Sequence, residues 1–205
     1  MVLCNMSVTS EPTALLPVEP TTLSPLEPAT VRLFGTADDS IVDGPGIRFA
    51  IFTQGCSHHC PGCHNPEAQT RSGGQEVSLG ELKRRIEANP LVSGVTFSGG
   101  EPFEQPEPLI ALAQWARQLK RADKRGKSLK SLTIWAYSGY TFEQLLAGFP
   151  SPAASALLKL CDVLVDGPFI QEQHSYTLKW RGSANQRLID VAASLAADAV
   201  ILFQV

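Results

Sequence analysis

Apolar residues along the chain fall into short runs and helical repeats that alternate. Ordered sequence is expected to begin at VRLFG, from Val31. The run IRFAIFTQG, ending at Gly55, is rich in β-branched and aromatic residues, which predicts a strand that delivers the chain into a loop. Ser78 and Glu81 read as a capping box ahead of Leu79, Leu82 and Ile86, a helical repeat that stops at Asn89-Pro90. GVTFSGGEP predicts a second strand closing in a glycine turn, and Leu109, Leu112, Trp115, Ala116 and Leu119 trace one face of a second helix. LTIWAYSGY predicts a third strand, TFEQLLAG and ASALLKLC short helical pieces, and DVLVDGPF a fourth strand. Strands alternating with helices imply an α/β fold with a mainly parallel sheet. Ligands then gather at the C-terminal strand ends, where this chain places QGC, SGGEP, SGY and VDGPF.

Composition adds boundaries. At 205 residues the chain suits one domain. Residues 1 to 30 hold Pro12, Pro17, Pro20, Pro25 and Pro28 among Thr, Ser and Glu, and read as a disordered leader, leaving residues 31 to 205 as the domain. A net charge of −3 gives no general attraction to nucleic acid or anionic lipid. The basic cluster Lys120, Arg121, Lys124, Arg125, Lys127 and Lys130 is interrupted by Asp123, lacks aromatic residues, and reads as a solvated helix end and loop. The last apolar stretch, Val191 to Val205, is broken by Asp198 and is shorter than the roughly 20 residues of a membrane span. No Lys or Arg precedes Arg32, so a secretory layout is missing, and five cysteines are an odd number for a disulfide framework. A reducing cytoplasm is the expected location.

The candidate chemistry lies in QGCSHHCPGCHNPE, where Cys56, Cys60 and Cys63 are spaced C-x3-C-x2-C with no fourth cysteine nearby. Thiolates are soft ligands for zinc or iron-sulfur clusters. A structural zinc would need a fourth ligand, for which His58, His59 or His64 is available. A cubane cluster held by three thiolates instead keeps one iron open for chemistry. Cys161 would complete an electron-carrying cluster, or else serve as a small core residue at the end of ALLKLC. Cys4, in the leader, reads as incidental.

C-x3-C-x2-C resembles the cluster signature of the radical S-adenosylmethionine superfamily, and VDGPGIRFAIFTQGC resembles its glycyl-radical-enzyme activases. VLVDGPF and WRGSANQ narrow the resemblance to the activating proteins of anaerobic ribonucleoside-triphosphate reductase, over residues 33 to 190. The resemblance implies a partial (βα) barrel with one 4Fe-4S cluster on Cys56, Cys60 and Cys63. It also implies S-adenosyl-L-methionine on the open iron, cleaved by one electron to a 5′-deoxyadenosyl radical that takes hydrogen from a glycine of the reductase large subunit. Reduced flavodoxin or ferredoxin is the implied electron donor. By the same resemblance Gly62, Cys63 and His64 line the adenine side, Ser98, Gly99, Gly100 and Glu101 lie along the methionyl end, and Asp166 joins the cofactor-binding set. No acid-base residue is required, since the cofactor supplies the reactive species.

Two departures stand out. Gly62 replaces the aromatic residue many relatives carry before the third cysteine, and Gly167-Pro168 follows Asp166 where related activases have a lysine. Arg181 is a candidate substitute cation for the cofactor carboxylate, or a seat for the reductase glycine loop. Activation of another glycyl radical enzyme, such as formate C-acetyltransferase, is the nearest alternative. A non-catalytic zinc or iron-sulfur module is the alternative of a different class.

Overall fold

A computed structural model describes residues 30–122 and 128–204. Its strands are β1 (Thr30–Ser40), β2 (Arg48–Thr53), β3 (Gln75–Ser78), β4 (Gly94–Gly99), β5 (Lys120–Ala122), β6 (Leu129–Ser131), β7 (Thr133–Tyr137), β8 (Val163–Asp166) and β9 (Arg187–Asp190). Five helices accompany them: α1 (Leu79–Ala88), α2 (Pro106–Gln118), α3 (Phe142–Leu146), α4 (Pro152–Leu158) and α5 (Val191–Ala197). One sheet takes seven strands in the order β3-β1-β2-β4-β7-β8-β9. The four central strands, β2, β4, β7 and β8, are parallel and are the four expected from the sequence. The flanking pairs β1–β2, β1–β3 and β8–β9 are antiparallel, so the chain is mixed α/β with a largely parallel sheet.

Alternation along these strands makes two different faces. Phe49, Val95 and Ile134 form one register row, and Ile51, Phe97, Ala136 and Leu164 the next. These meet Leu82 and Ile86 of α1, Leu109 and Leu112 of α2, and Leu157 of α4 in the main core. Full burial of each such side chain contributes about 1.5–3 kcal/mol. The opposite face carries a smaller cluster of Trp135, Val163, Val165 and Leu188, closed by Trp180 and Phe203 from late segments. Arg48 lies on that face, 0% exposed, and donates to Thr96 Oγ1, to Thr133 Oγ1 at 2.9 Å and to Val95 O at 2.7 Å. Burial pulls its guanidinium down to about 10, and Trp135 packs on it at 5.5 Å. Thr96 Oγ1 in turn donates to Asp43 O at 2.7 Å, so this buried cation fastens the DGPG loop across the sheet.

Several expectations are revised. Ser78 caps α1 by accepting from Glu81 N–H at 3.1 Å, but the Glu81 carboxylate turns to Arg85, 3.9 Å away, instead of closing the box. The reciprocal box occurs at α3, between Thr141 and Gln144. The basic cluster is not simply a helix end and loop: Lys120 and Arg121 on β5 pair with Ser131 and Lys130 on β6. Lys124, Arg125 and Lys127 lie outside the described residues, as do residues 1–29 with Cys4. The tail after Asp190 forms α5 and then returns to β9, Ile189 bridging Leu202. Among the described residues no helix is long and apolar enough to cross a membrane.

Candidate functional site

The cysteine loop leaves the end of β2 and returns beside it. Gly55 N–H donates to Ala68 O at 2.7 Å and Cys56 N–H to Gln69 O at 3.0 Å, closing the neck. The buried Gln54 side chain holds the returning arm through Glu67 O at 2.9 Å and Thr70 O at 2.6 Å. The end of β4 is stitched to the same neck, Gly100 N–H on Thr53 O at 2.7 Å and Glu101 N–H on Gly55 O at 2.8 Å. A Cβ on Gly100 would collide with Gly55 O and lie 2.9 Å from Ala68 O. The glycine therefore makes room for loop backbone.

Cys56, Cys60 and Cys63 are free and line one cavity of about 380 Å³. Its wall also includes His64, Ser98, Gly99, Gly100 and Glu101, so separate stretches of sequence meet in one space. Two residues assigned with them do not. Gly62 bends the loop at φ +70°, and its open side meets the Gln171 side chain. Asp166 is 1% exposed and stands opposite Arg187 across the β8–β9 pair. Its carboxylate accepts from Arg187 and from Phe142 N–H, the latter at 2.7 Å, while the following Gly167 reaches the cavity. Asp166 is thus a tie between elements.

Glu101, expected along the methionyl end, has its carboxylate enclosed by protein partners. Oε1 accepts from Phe103 N–H at 3.1 Å and Ser138 Oγ at 2.9 Å, and Oε2 from Gly139 N–H at 2.9 Å and pairs with His58 Nε2 at 3.0 Å. A carboxylate offers about four such sites, so none is left for an ammonium group. Burial opposes a charge on His58, yet the Glu101 hydrogen bond and the Glu101 and Glu104 charges raise its pKa overall. Glu104, unnoticed in the sequence, accepts from Ser57 N–H at 3.0 Å, from the Ser57 hydroxyl, and from Arg71 Nη2 at 2.7 Å. Burial, with the two carboxylates adding, pushes the Cys56 thiol up to about 11. Ligation to a metal would release that proton.

The donor set fits an iron-sulfur cluster. Among the described residues no three His, Cys, Asp or Glu side chains converge as ligands of one metal ion. A cubane takes each thiolate on a different iron, so its three sulfurs need only face a common space. Cys161 is no candidate for a fourth ligand: it is 2% exposed in the helical core, with Sγ 3.4 Å from Leu157 O, and is absent from the cavity wall. Aromatic surface missing at Gly62 is present elsewhere, as Phe169 and Trp180 line the cavity and Phe169 stands 5.1 Å from His64. Arg181 also lines it, donating from Nη1 to Gln186 O at 2.7 Å.

A family model described as a 4Fe-4S single cluster domain matches residues 42–189. An anaerobic ribonucleoside-triphosphate reductase-activating protein of Vibrio cholerae is 37% identical over 151 residues, 71% of this chain and 89% of that protein. The protein of the same name from Escherichia coli is 33% identical over 150 residues, covering 71% and 90%. That of Enterobacteria phage T4 is 31% identical over 152 residues, covering 72% and 86%. By the extent of these matches the chain belongs to the family of anaerobic ribonucleoside-triphosphate reductase-activating proteins, built on a single-cluster 4Fe-4S domain.

Proposed function

We propose that the chain is a radical S-adenosylmethionine activase that places a glycyl radical on anaerobic ribonucleoside-triphosphate reductase, working in an anoxic cytoplasm. The observation that carries this reading is the meeting of three free thiols with the Ser98–Gly100 strand end around one cavity. Cys56, Cys60 and Cys63 would hold the 4Fe-4S cluster, and the open sheet would be the partial barrel of that superfamily. When bound, the cluster and S-adenosylmethionine supply the one-electron cleavage that yields a 5′-deoxyadenosyl radical.

The chain's own residues bind, orient and shield. With the Glu101 carboxylate engaged, backbone groups at Ser98 and Gly99 are the polar contacts left for the methionyl end, and Phe169 and His64 offer faces for the adenine. Arg181, on the cavity wall, would meet either the cofactor carboxylate or the incoming glycine segment. Trp180, Tyr137 and Phe52 line the cavity with ring surface that excludes water. A reduced flavodoxin or ferredoxin would supply the electron, and neither nucleic acid nor membrane enters the scheme.

The test is anaerobic incubation of reduced, cluster-loaded protein with S-adenosylmethionine and the reductase, read by electron paramagnetic resonance. A glycyl doublet on the reductase is expected. A doublet on formate C-acetyltransferase but not on the reductase would reassign the substrate, and loss of iron and sulfide on anaerobic purification would remove the cluster.

A further inference from the structure

A wall of the cysteine-lined cavity and the last described segment of the chain meet in one ring stack, on the face of the sheet opposite the main core. Trp135 of β7 is buried there, its ring 5.3 Å from that of Trp180 and 5.4 Å from that of Phe203, nearly perpendicular to both. Edge-to-face pairs of this kind are favoured by the ring quadrupoles, so each contact fixes orientation as well as area.

Trp180 belongs to two environments. It packs on this stack, and it lines the cysteine cavity together with Arg181, the next residue. Its φ is +52°, a left-handed backbone that a bulky L side chain rarely adopts. Such a conformation persists only where the surroundings over-determine it, and Trp135 supplies a contact that does so.

Phe203 reaches Trp135 from a tail that wraps the edge of the sheet. The chain reverses at Asp198 after α5, Val200 packs against the main core, and Phe203 packs against the opposite face. The tail is tied to β9 by Asp190 N–H on Ile201 O at 2.9 Å and Phe203 N–H on Leu188 O at 2.8 Å. It lies beyond residue 189, where the match to the 4Fe-4S domain ends. A second cavity, of about 520 Å³, is lined by residues 177–179 and by Leu202 and Phe203, so the chain leading into Trp180 has room to shift if its packing is loosened.

We infer that Phe203 is a positioning residue for the cysteine cavity: through Trp135 it holds Trp180 in its left-handed turn, and so sets the wall beside which S-adenosylmethionine binds. The inference rests on the activase reading above for its ligand, and adds to it a strap, outside the matched domain, that controls cofactor affinity.

The test uses full-length Phe203→Ala, Phe203→Leu and Phe203→Tyr, with Leu82→Ala as a control that opens the main core on the other face of the sheet. The first readout is circular dichroism of metal-free protein. Two indoles in contact couple as an exciton pair, and the couplet is assigned by its loss in Trp135→Phe; Trp115 packs on the main core, away from the pair. The couplet should collapse in Phe203→Ala, weaken in Phe203→Leu, and persist in Phe203→Tyr and Leu82→Ala. The second readout is S-adenosylmethionine binding to anaerobic, cluster-loaded protein with the cluster unreduced, so that no cleavage occurs. The dissociation constant should rise about tenfold in Phe203→Ala, the scale of one lost ring contact, with iron content unchanged. Phe203→Tyr should bind as wild type. Wild-type couplet and affinity in Phe203→Ala overturn the inference. Loss of one readout without the other overturns it too, because affinity then does not follow the seating of Trp180. Equal losses in Leu82→Ala assign the effect to general loosening and overturn it as well. If Phe203→Ala does not fold, Phe203→Leu decides by the same two readouts. Failure of cluster-loaded wild type to bind S-adenosylmethionine removes the activase reading, and the couplet alone then decides whether Phe203 seats Trp180.

Discussion

Replacing Glu101 by glutamine separates a structural tie from a cofactor contact. The carboxylate is 1% exposed and is surrounded by Phe103 N–H, Ser138 Oγ, Gly139 N–H and His58 Nε2. A glutamine keeps the shape but turns one oxygen into an NH₂ group. Whichever way it sits, that NH₂ faces a backbone N–H, Phe103 on one side or Gly139 on the other. One buried donor is then left unmade, at about 1–3 kcal/mol. For a chain of this size each kcal/mol moves the melting temperature by about 2–4 °C, so a drop of about 2–12 °C is expected. The assay is thermal and urea unfolding of metal-free protein under reducing conditions, with S-adenosylmethionine binding to the cluster-loaded form measured beside it. Glu101→Ala strips both backbone donors and should cost about twice as much, a large share of the roughly 5–15 kcal/mol a domain possesses. Unchanged unfolding of metal-free Glu101→Gln, together with lost cofactor binding, would refute the structural tie and point to a direct cofactor contact.

Cys56→Ala, Cys60→Ala and Cys63→Ala should each abolish cluster iron, whereas Cys161→Ala should retain it and lose only about 0.5–1.5 kcal/mol, the scale of one buried heavy atom, both read by iron analysis and urea melts. Gly100→Ala should lose the cluster along with the loop neck, because the new Cβ meets Gly55 O; a Gly100→Ala protein with full iron and weakened cofactor binding would contradict the packing. Gly80→Ala is the converse, a helical glycine with open space around its missing Cβ, and should stabilise by up to about 1 kcal/mol. The Glu143 carboxyl, held down to about 2 chiefly by its Arg187 hydrogen bond, contributes stability that is present above its ordinary 4.5 and lost as pH falls toward 2. The pair is exposed, so the contribution is under about 1 kcal/mol, and Glu143→Gln should flatten that part of the acid limb in pH-dependent urea unfolding.

The four central strands were legible because each is buried on both faces and reads as a continuous apolar run. The edges were less so. β3 is QEVS with only Val77 half-buried, and β9 holds RLID in four residues; neither carries a periodic signal, and both are strands because a neighbour pairs with them. In the site, the cysteines were readable as a motif by their spacing, and SGG, by itself an ordinary glycine turn, gained meaning only beside them. Glu104, Ser138 and Arg187 were not, since an ordinary Glu, Ser or Arg acquires meaning only from the partner that folding brings to it, Ser57 across 47 positions in the case of Glu104. Asp166 shows the opposite case. Its place in a family motif suggested a cofactor contact, while the register of β8 on β9 sets it against Arg187.

Glu101 and Glu104 bracket a single 3-10 turn, Pro102–Glu104, in which residues three apart lie on the same side. Pro102 fixes the backbone at the entry to that turn. One carboxylate then binds the end of β7 through Ser138 and Gly139, and the other binds the cysteine loop through Ser57. The loop is therefore held to the sheet by bonds that involve no thiol. This is unlike a small zinc module, where metal binding supplies the folding free energy and the loop has no shape without it. Here the protein bears the ordering cost of the loop during its own folding, so on the proposed reading that cost is not charged against cluster binding, and three thiols already facing one cavity would hold the cluster without a fourth protein ligand.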